Sequence, residues 1–528
     1  MNDIENLLLL LAVLAVLAPL TRWLHVTQPI GFVLGGLILS LMPGFPRVVL
    51  DPELVFLLFL PPLLYIQSFF TSWRHFKREL RPITFLAVGL VLFTTVGVAY
   101  LAHAIIPGLP LAAGFVLGAI VSSPDAVAVA GVAQQLRLPH RLVTILEGES
   151  LVNDATSLVA LSFALSALAS GQFSLSSATL RFVAVAAGGV GVGCAVGWLM
   201  LALRRRIKDE SLSLLLSLLS PYAAYLPADR LGFSGVLSAV SAGLFLGWRL
   251  PRYLTYSMRL QGAALWRMIE FILNGLIFLL IGLQLRTVVA QVHERYHPWQ
   301  LVEFAFVICL GVILLRPLWI FLVVPLQRVL IPGLQRRDPL PPLSYQAVLS
   351  WSGIRGVVSL AAALGLEQSL EGGRPFPSRE LIIFLTFCVI LSTLVLQGLT
   401  FPWLVRRLGV RETTTHHAAE RTARHKLAKV ALATLDAHTT IDEGEASGKE
   451  VLRAAIQLRI QEVEDEEMAS LGWSRRQELA LATRRLRLAT LAAEREELFR
   501  QRLADESPDA VLLKLQQEID FEEARLRS

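Results

Sequence analysis

Cysteine is almost missing from this 528-residue chain: only Cys194, Cys309 and Cys388 occur. Each stands alone inside an apolar run, so neither a disulfide framework nor a cysteine zinc site is expected, and the three read as small buried hydrophobes. Charge is scarce as well. Asp, Glu, Lys and Arg make up 17% of the residues against 54% hydrophobic, and the mean hydropathy is +0.58. That balance excludes an ordinary soluble enzyme and fits a polytopic membrane protein. The net charge of +6 is small, and its basic residues gather in short clusters between apolar runs. They read as topology markers, and no nucleic-acid partner is expected. No Gly-x-Gly-x-x-Gly run follows a strand pattern, so no nucleotide-sensing domain is indicated. The opening residues, Met1 to Asn6, are acidic where a cleavable signal peptide is basic, so the first apolar run is expected to be retained.

What the chain has in quantity is apolar runs of membrane-spanning length, about thirteen of them. The clusters between them alternate. Arg74, Lys77, Arg78 and Arg81 follow the third run, and Arg137 and Arg141 precede the sixth. Arg204, Arg205, Arg206 and Lys208 follow the seventh, Arg249, Arg252 and Arg259 the ninth, and Arg328, Arg336 and Arg337 the eleventh. The intervening loop near Gly108 and the stretch from Ser170 to Ser177 carry no charge. By the positive-inside rule the N-terminus is outside and the C-terminus cytoplasmic, as an odd number of spans also requires. Residues 1–410 are thus expected to form the transmembrane domain and 411–528 a cytoplasmic helical tail. The tail shows helical periodicity, as in Val451, Ile456, Ile460 and Val463, with breaks at Glu443 to Gly448 and Asp505 to Asp509. His416, His417 and His425 read as solvated juxtamembrane histidines rather than a pH sensor.

Against this apolar background, Glu149-Ser150-Leu151-Val152-Asn153-Asp154 places two carboxylates, a hydroxyl and an amide in six residues of one span. Ionisable groups at bilayer depth are costly and mark ion or proton pathways. Residues four apart share a helix face, so Ser150 and Asp154 form one row and Glu149 and Asn153 the next. The first row can offer a hydroxyl and a carboxylate to a hard cation such as Na+. The second is expected to brace the helix against a partner. Asp154 lies about 20 Å along the helix from Arg141, near the bilayer centre. Glu147 falls on nearly the opposite face from Glu149, toward the cavity mouth.

Two further spans are expected to be broken. Ser122-Ser123-Pro124-Asp125 interrupts the fifth: proline removes a backbone donor, and Asp125 follows where a new helix would begin. Trp351-Ser352-Gly353-Ile354-Arg355-Gly356 interrupts the twelfth, with two glycines flanking an arginine. Broken backbone at membrane depth survives only inside protein or beside a water-filled cavity, so both spans are expected to line the site. Arg355 needs an anionic partner, and Glu149 is the expected one. Glu270, Asn274, Arg286 and Arg316 lie in or near later spans, where structural pairing is as good a reading as transport. The glycine run from Gly188 to Gly197 is read as close helix packing.

At these residues the chain resembles the electroneutral branch of the monovalent cation:proton antiporters, the bacterial NhaP-type transporters and the animal sodium/hydrogen exchangers. The likeness runs through most of residues 28–408. It rests on Leu60-Pro61-Pro62-Leu63-Leu64-Tyr65, the run from Ser122 to Val127, that from Gly148 to Asp154, and Ser234-Gly235-Val236-Leu237. Asn274 to Phe278, Gly282-Leu283-Gln284 and Trp351 to Gly356 add to it. The resemblance implies a homodimer in the cell's inner membrane, with inverted six-helix repeats in which the broken fifth and twelfth spans are equivalent. It implies that Asp154 carries cation and proton in turn, that Ser150 and a backbone carbonyl near Ser122 or Ser123 help ligate the ion, that Glu149 and Asn153 organise the site with Arg355, and that Asp125 supports the crossing. Two departures stand out. Pro124 replaces the threonine of the Thr-Asp-Pro exchangers, and Gln67 stands near a place where many relatives carry an acid.

The expected activity is therefore one-for-one sodium/proton antiport by alternating access, with no cofactor and no enzymatic step. The neutral Asn153 leaves one carrier carboxylate, which favours an electroneutral cycle. Potassium/proton exchange, with Li+ or K+ in place of Na+, is the nearest alternative, since these ions share oxygen ligands. A proton-coupled symporter for an anionic solute would want further buried cations, and a membrane sensor would want a signalling motif in the tail.

Overall fold

A computed structural model of the chain describes residues 3–24, 26–42, 57–125, 136, 138–170, 175–293, 296–330, 340–369 and 375–410, and in the tail 415–437 and shorter helical stretches from 449 onward. The tail breaks at 443–448 and 505–509, the Ala126 and Val127 of the fifth-span run, and Arg137, Arg336 and Arg337 lie outside the described residues.

The described residues form helices and no strand, apart from one isolated bridge between Ser369 and Pro375. In chain order they are α1 (Asp3–Trp23), α2 (Gln28–Leu41), α3 (Leu60–Phe70), α4 (Trp73–Arg78), α5 (Leu80–Ile105), α6 (Leu111–Ser122) and α7 (His140–Ser170). There follow α8 (Leu175–Arg204), α9 (Glu210–Arg230), α10 (Gly235–Arg249), α11 (Tyr256–His293) and α12 (Pro298–Leu330). The series ends with α13 (Leu343–Trp351), α14 (Val357–Leu364), α15 (Arg379–Arg407) and α16 (Thr415–Ala437). Eight of these are long and apolar enough to cross a bilayer, so the chain is a multi-pass helical membrane protein.

Local sequence explains several boundaries. Pro61 and Pro62 sit in the first turn of α3, where no intrahelical donor is lost. Asp209 and Ser234 cap α9 and α10, accepting the N–H of Leu212 at 2.6 Å and of Leu237 at 3.2 Å. Three long helices each contain a wider π turn, at Phe85–Leu90, Trp319–Val323 and Thr393–Gln397. The first two meet: Trp319 stacks on Phe85 with ring centroids 4.7 Å apart.

Residues Met1–Glu412 and Thr413–Ser528 form two compact units. Within the first, α2 packs on α11, and α3 and α8 pack on α10. On the other side α5, α6, α12, α14 and α15 pack among themselves, and α7 runs between the two groups. A shared apolar core joins Ile120 of α6, Ile308 of α12 and Leu385 of α15, while Leu151 and Ala155 of α7 meet Leu64 of α3 and Val240 of α10. The glycine run of α8 does what close packing demands. Gly189 and Gly193 lie directly against the backbones of Ser234 and Ser238, where a methyl group would collide.

Candidate functional site

The site is built where two helices stop inside the apolar body. Helix α6 ends at Ser122, and residues 123–125 are non-helical. Helix α13 ends at Trp351, residues 352–356 are non-helical, and α14 resumes at Val357. Both expected breaks are therefore present, and they lie against each other. The Asp125 N–H donates to the Ile354 carbonyl at 2.7 Å, and Arg355 Nε donates to the Val121 carbonyl at 2.6 Å. Gly356 approaches the Asp125 side chain so closely that no Cβ fits there.

Charge follows the ends of these broken helices. The C-terminal carbonyls of a helix carry partial negative charge and its N-terminal N–H groups partial positive charge. Arg355 sits on a carbonyl of the last turn of α6. Arg316 donates through Nε to the Leu349 carbonyl in the last turn of α13, at 2.7 Å. The Asp125 carboxylate sits at Gly356, the residue just before α14. Each exposed helix end thus meets a side chain of opposite sign, which lets the irregular backbone persist without water.

Helix α7 supplies the remaining groups. Asp154 is buried and accepts a hydrogen bond from the Ser123 hydroxyl at 2.5 Å. Asn153 Nδ2 donates to the Pro124 carbonyl at 2.7 Å, tying α7 to the first break. The Ser122 hydroxyl turns back to the Ala119 carbonyl of its own helix, at 2.8 Å. Asp154, Ser150, Ser123 and Asp125 line a cavity of about 40 Å³ together with Gln67 of α3, Asn274 of α11 and Ser359 of α14. A water needs roughly 10–15 Å³ measured this way, so the cavity holds a few waters or a small ion, whereas organic ligands occupy about 300–1,000 Å³.

The expected Glu149–Arg355 pair is not formed. Glu149 meets Arg316 instead, in a two-pronged contact with Nη1–Oε1 at 2.5 Å and Nη2–Oε2 at 2.8 Å. The reason is position: Arg316 approaches from α12 with its fork facing the carboxylate, while the Arg355 fork is taken by the Val121 and Gly353 carbonyls. The Arg355 backbone N–H is held by Thr393, the first residue of the π turn in α15, at 3.1 Å. Glu147 is half-buried and does not line the cavity.

Sequence reasoning passed over Ser359. Its hydroxyl is buried, faces the cavity and has no hydrogen-bond partner among the described residues. The signal was available in the chain: Ser359 is the one polar residue in the first turn after the Gly356 break.

Two broken helices crossing beside a buried carboxylate in an ion-sized cavity define a membrane carrier for a small ion. Comparison with known proteins narrows that class. The profile described as the transmembrane domain of sodium/hydrogen exchangers matches residues 9–407. The chain is 36% identical to an uncharacterised Na+/H+ exchanger of Mycobacterium bovis over 95% of this chain and 92% of that one. It is 34% identical to the sodium, potassium, lithium and rubidium/H+ antiporter of Bacillus pumilus over 78% of this chain and 62% of that one. Its fold is similar to that of the sodium proton antiporter MjNhaP1 of Methanocaldococcus jannaschii, with a TM-score of 0.61 and 21% identity over 77% of this chain and 98% of that one. The chain belongs to the sodium/hydrogen exchanger family.

Proposed function

We propose that this protein exchanges one Na+ for one H+ across the cell's inner membrane by alternating access, with Asp154 as the carrier of both ions. The observation that carries the reading is Asp154 itself. It is buried in an ion-sized cavity, bonded to a hydroxyl and, among the described residues, to no basic side chain. A cation and a proton compete for the same carboxylate oxygens, so loading one releases the other. The Ser150 and Ser123 hydroxyls and a backbone carbonyl near Ser122 complete the oxygen shell, and the Ser359 hydroxyl faces it from α14. Glu149, Asn153, Asp125 and Arg355 organise the site without carrying charge across. Glu149 is neutralised by Arg316 and Asn153 cannot ionise, which leaves a single exchangeable charge and an electroneutral cycle. No cofactor takes part.

The wider architecture of the proposal is thirteen spans in inverted six-helix repeats, N-terminus outside and C-terminus cytoplasmic, in a homodimer. Only 17% of the most apolar stretch of α1 and of α8 is covered within the chain, against 67% for α15, which leaves these two helices to face lipid or a second copy. The Bacillus pumilus relative, named for four alkali cations, keeps K+ and Li+ as further candidate substrates.

The test is proton movement in proteoliposomes driven in turn by Na+, Li+ and K+ gradients. Na+ is expected to drive it, at a rate insensitive to an imposed membrane potential. Strong voltage dependence contradicts the one-for-one cycle, and drive by K+ alone contradicts the choice of ion.

A further inference from the structure

Away from the ion cavity, at the junction of α3, α8 and α9, another arginine is buried with no acid bonded to it among the described residues. Arg204 is the last residue of α8 and is only 5% exposed. Its Nε and Nη1 have no hydrogen-bond partner, and its Nη2 makes one long contact to the Ser213 hydroxyl at 3.4 Å. The nearby acids are committed elsewhere. Asp209 caps α9 at Leu212, and Glu210 accepts from Ser257 and Gln261, each at 2.9 Å. Beside Arg204, within Coulombic range, lies Tyr65 of α3, fully buried, with the Ser220 side chain of α9 as the neighbour of its hydroxyl.

Burying a guanidinium with no counter-charge is strongly unfavourable, more so than burying a satisfied pair. The C-terminal carbonyls of α8 offer it partial negative charge. Three of them are already used locally, Leu201 by Arg205, Leu203 by Arg206 and Arg204 by Ile207. What converges on this point is a guanidinium with two unbonded nitrogens and two hydroxyls, of Tyr65 and Ser213, that can donate as well as accept, with no carboxylate bonded there among the described residues. The positive charge of the guanidinium makes such a set complementary to an anion.

We propose that Arg204, Tyr65 and Ser213 form an anion-binding site that holds one small anion, either a free inorganic ion such as chloride or phosphate or the phosphate of an acidic lipid. The anion neutralises Arg204 and ties α3 to α8 and α9. Helix α3 also presents Gln67, two residues beyond Tyr65, to the ion cavity, so the occupied site fixes one wall of that cavity. This goes beyond the exchange reaction and does not depend on it.

The experiment measures thermal unfolding of the full-length, delipidated protein in sodium gluconate at fixed Na+. Chloride, bromide or phosphate replaces gluconate stepwise, and phosphatidylglycerol or phosphatidylcholine vesicles are added separately. A saturable rise in Tm with the inorganic anions, with bromide located beside Arg204 by anomalous diffraction, identifies a free ion. A rise with phosphatidylglycerol alone, with the lipid retained in native mass spectrometry, identifies the lipid phosphate. Tyr65→Phe is expected to weaken the response several-fold and Arg204→Gln to abolish it. A Tm that ignores every anion and vesicle overturns the proposal. So does an Arg204→Gln or a Tyr65→Phe protein that responds as the wild type does, and Tyr65→Phe serves as the check should Arg204→Gln not fold.

Discussion

Of three buried arginines among the described residues, Arg316 and Arg355 at 2% exposure and Arg204 at 5%, Arg316 and Arg204 have opposite surroundings. Arg316 is saturated: a carboxylate, a carbonyl and the Ser352 hydroxyl take its donors. Arg204 has one long contact and, among the described residues, no acid bonded to it. The difference shows how fixed charge is managed near a transported ion. At the crossing, every fixed charge except that of Asp154 has a counterpart: Glu149 with Arg316, Arg355 with the end of α6, Asp125 with the start of α14. A cation entering there meets one uncompensated carboxylate. At Arg204 the described residues supply no counter-charge, and the proposed anion provides it.

The sharpest way to break this comparison is to remove the arginines one at a time. Arg316→Gln strands Glu149 and is expected to cost about 3–5 kcal/mol of stability. Arg204→Gln strands no charge and, without anion, removes an uncompensated buried guanidinium, so it is expected to keep or raise stability. Chemical unfolding of both variants in gluconate checks the pair, and equal losses would erase the distinction. Removing both partners together, in Glu149→Leu with Arg316→Met, is expected to recover much of the first loss.

A smaller effect is expected at the crossing itself. In Gly356→Ala the new methyl group meets the Asp125 side chain, and the strain is expected to cost about 1–3 kcal/mol. Transport should fall with it, and a fully active, fully stable variant would show that the two breaks need not touch. The smallest expected effect is at Ser359. Ser359→Ala removes one neutral oxygen from the cavity and is expected to raise the cation KM about 3–10-fold with kcat nearly kept, since one neutral hydrogen-bonding group contributes about 1 kcal/mol. Ser359→Thr should restore the KM. An unchanged KM in the alanine variant would place Ser359 outside the ion's shell.

The parts of the fold that follow from local chemistry were legible in the sequence. Pro124 announced the end of α6, Gly353 and Gly356 the gap before α14, and the four-residue spacing of Ser150 and Asp154 their common face. Partnership between helices was not legible. Arg316 and Arg355 are both single arginines in apolar runs, and periodicity gives the face a residue occupies on its own helix, not the helix that face meets. Arg355 stood inside a visible break and so looked like the partner of Glu149, yet Arg316, from an apparently uninterrupted run, holds it. The π turns were hidden for a similar reason: Phe85–Leu90 and Thr393–Gln397 read as ordinary apolar helix, and only packing against Trp319 and Arg355 distinguishes them.

The central claim is that one carboxylate carries both ions. The most direct measurement is Na+-driven proton movement by Asp154→Asn in proteoliposomes, beside the wild type, with the membrane potential clamped. The account predicts exchange that is lost in the variant, at least about 100-fold below wild type, while the protein remains folded. An Asp154→Asn protein that exchanges Na+ for H+ at close to the wild-type rate would contradict it.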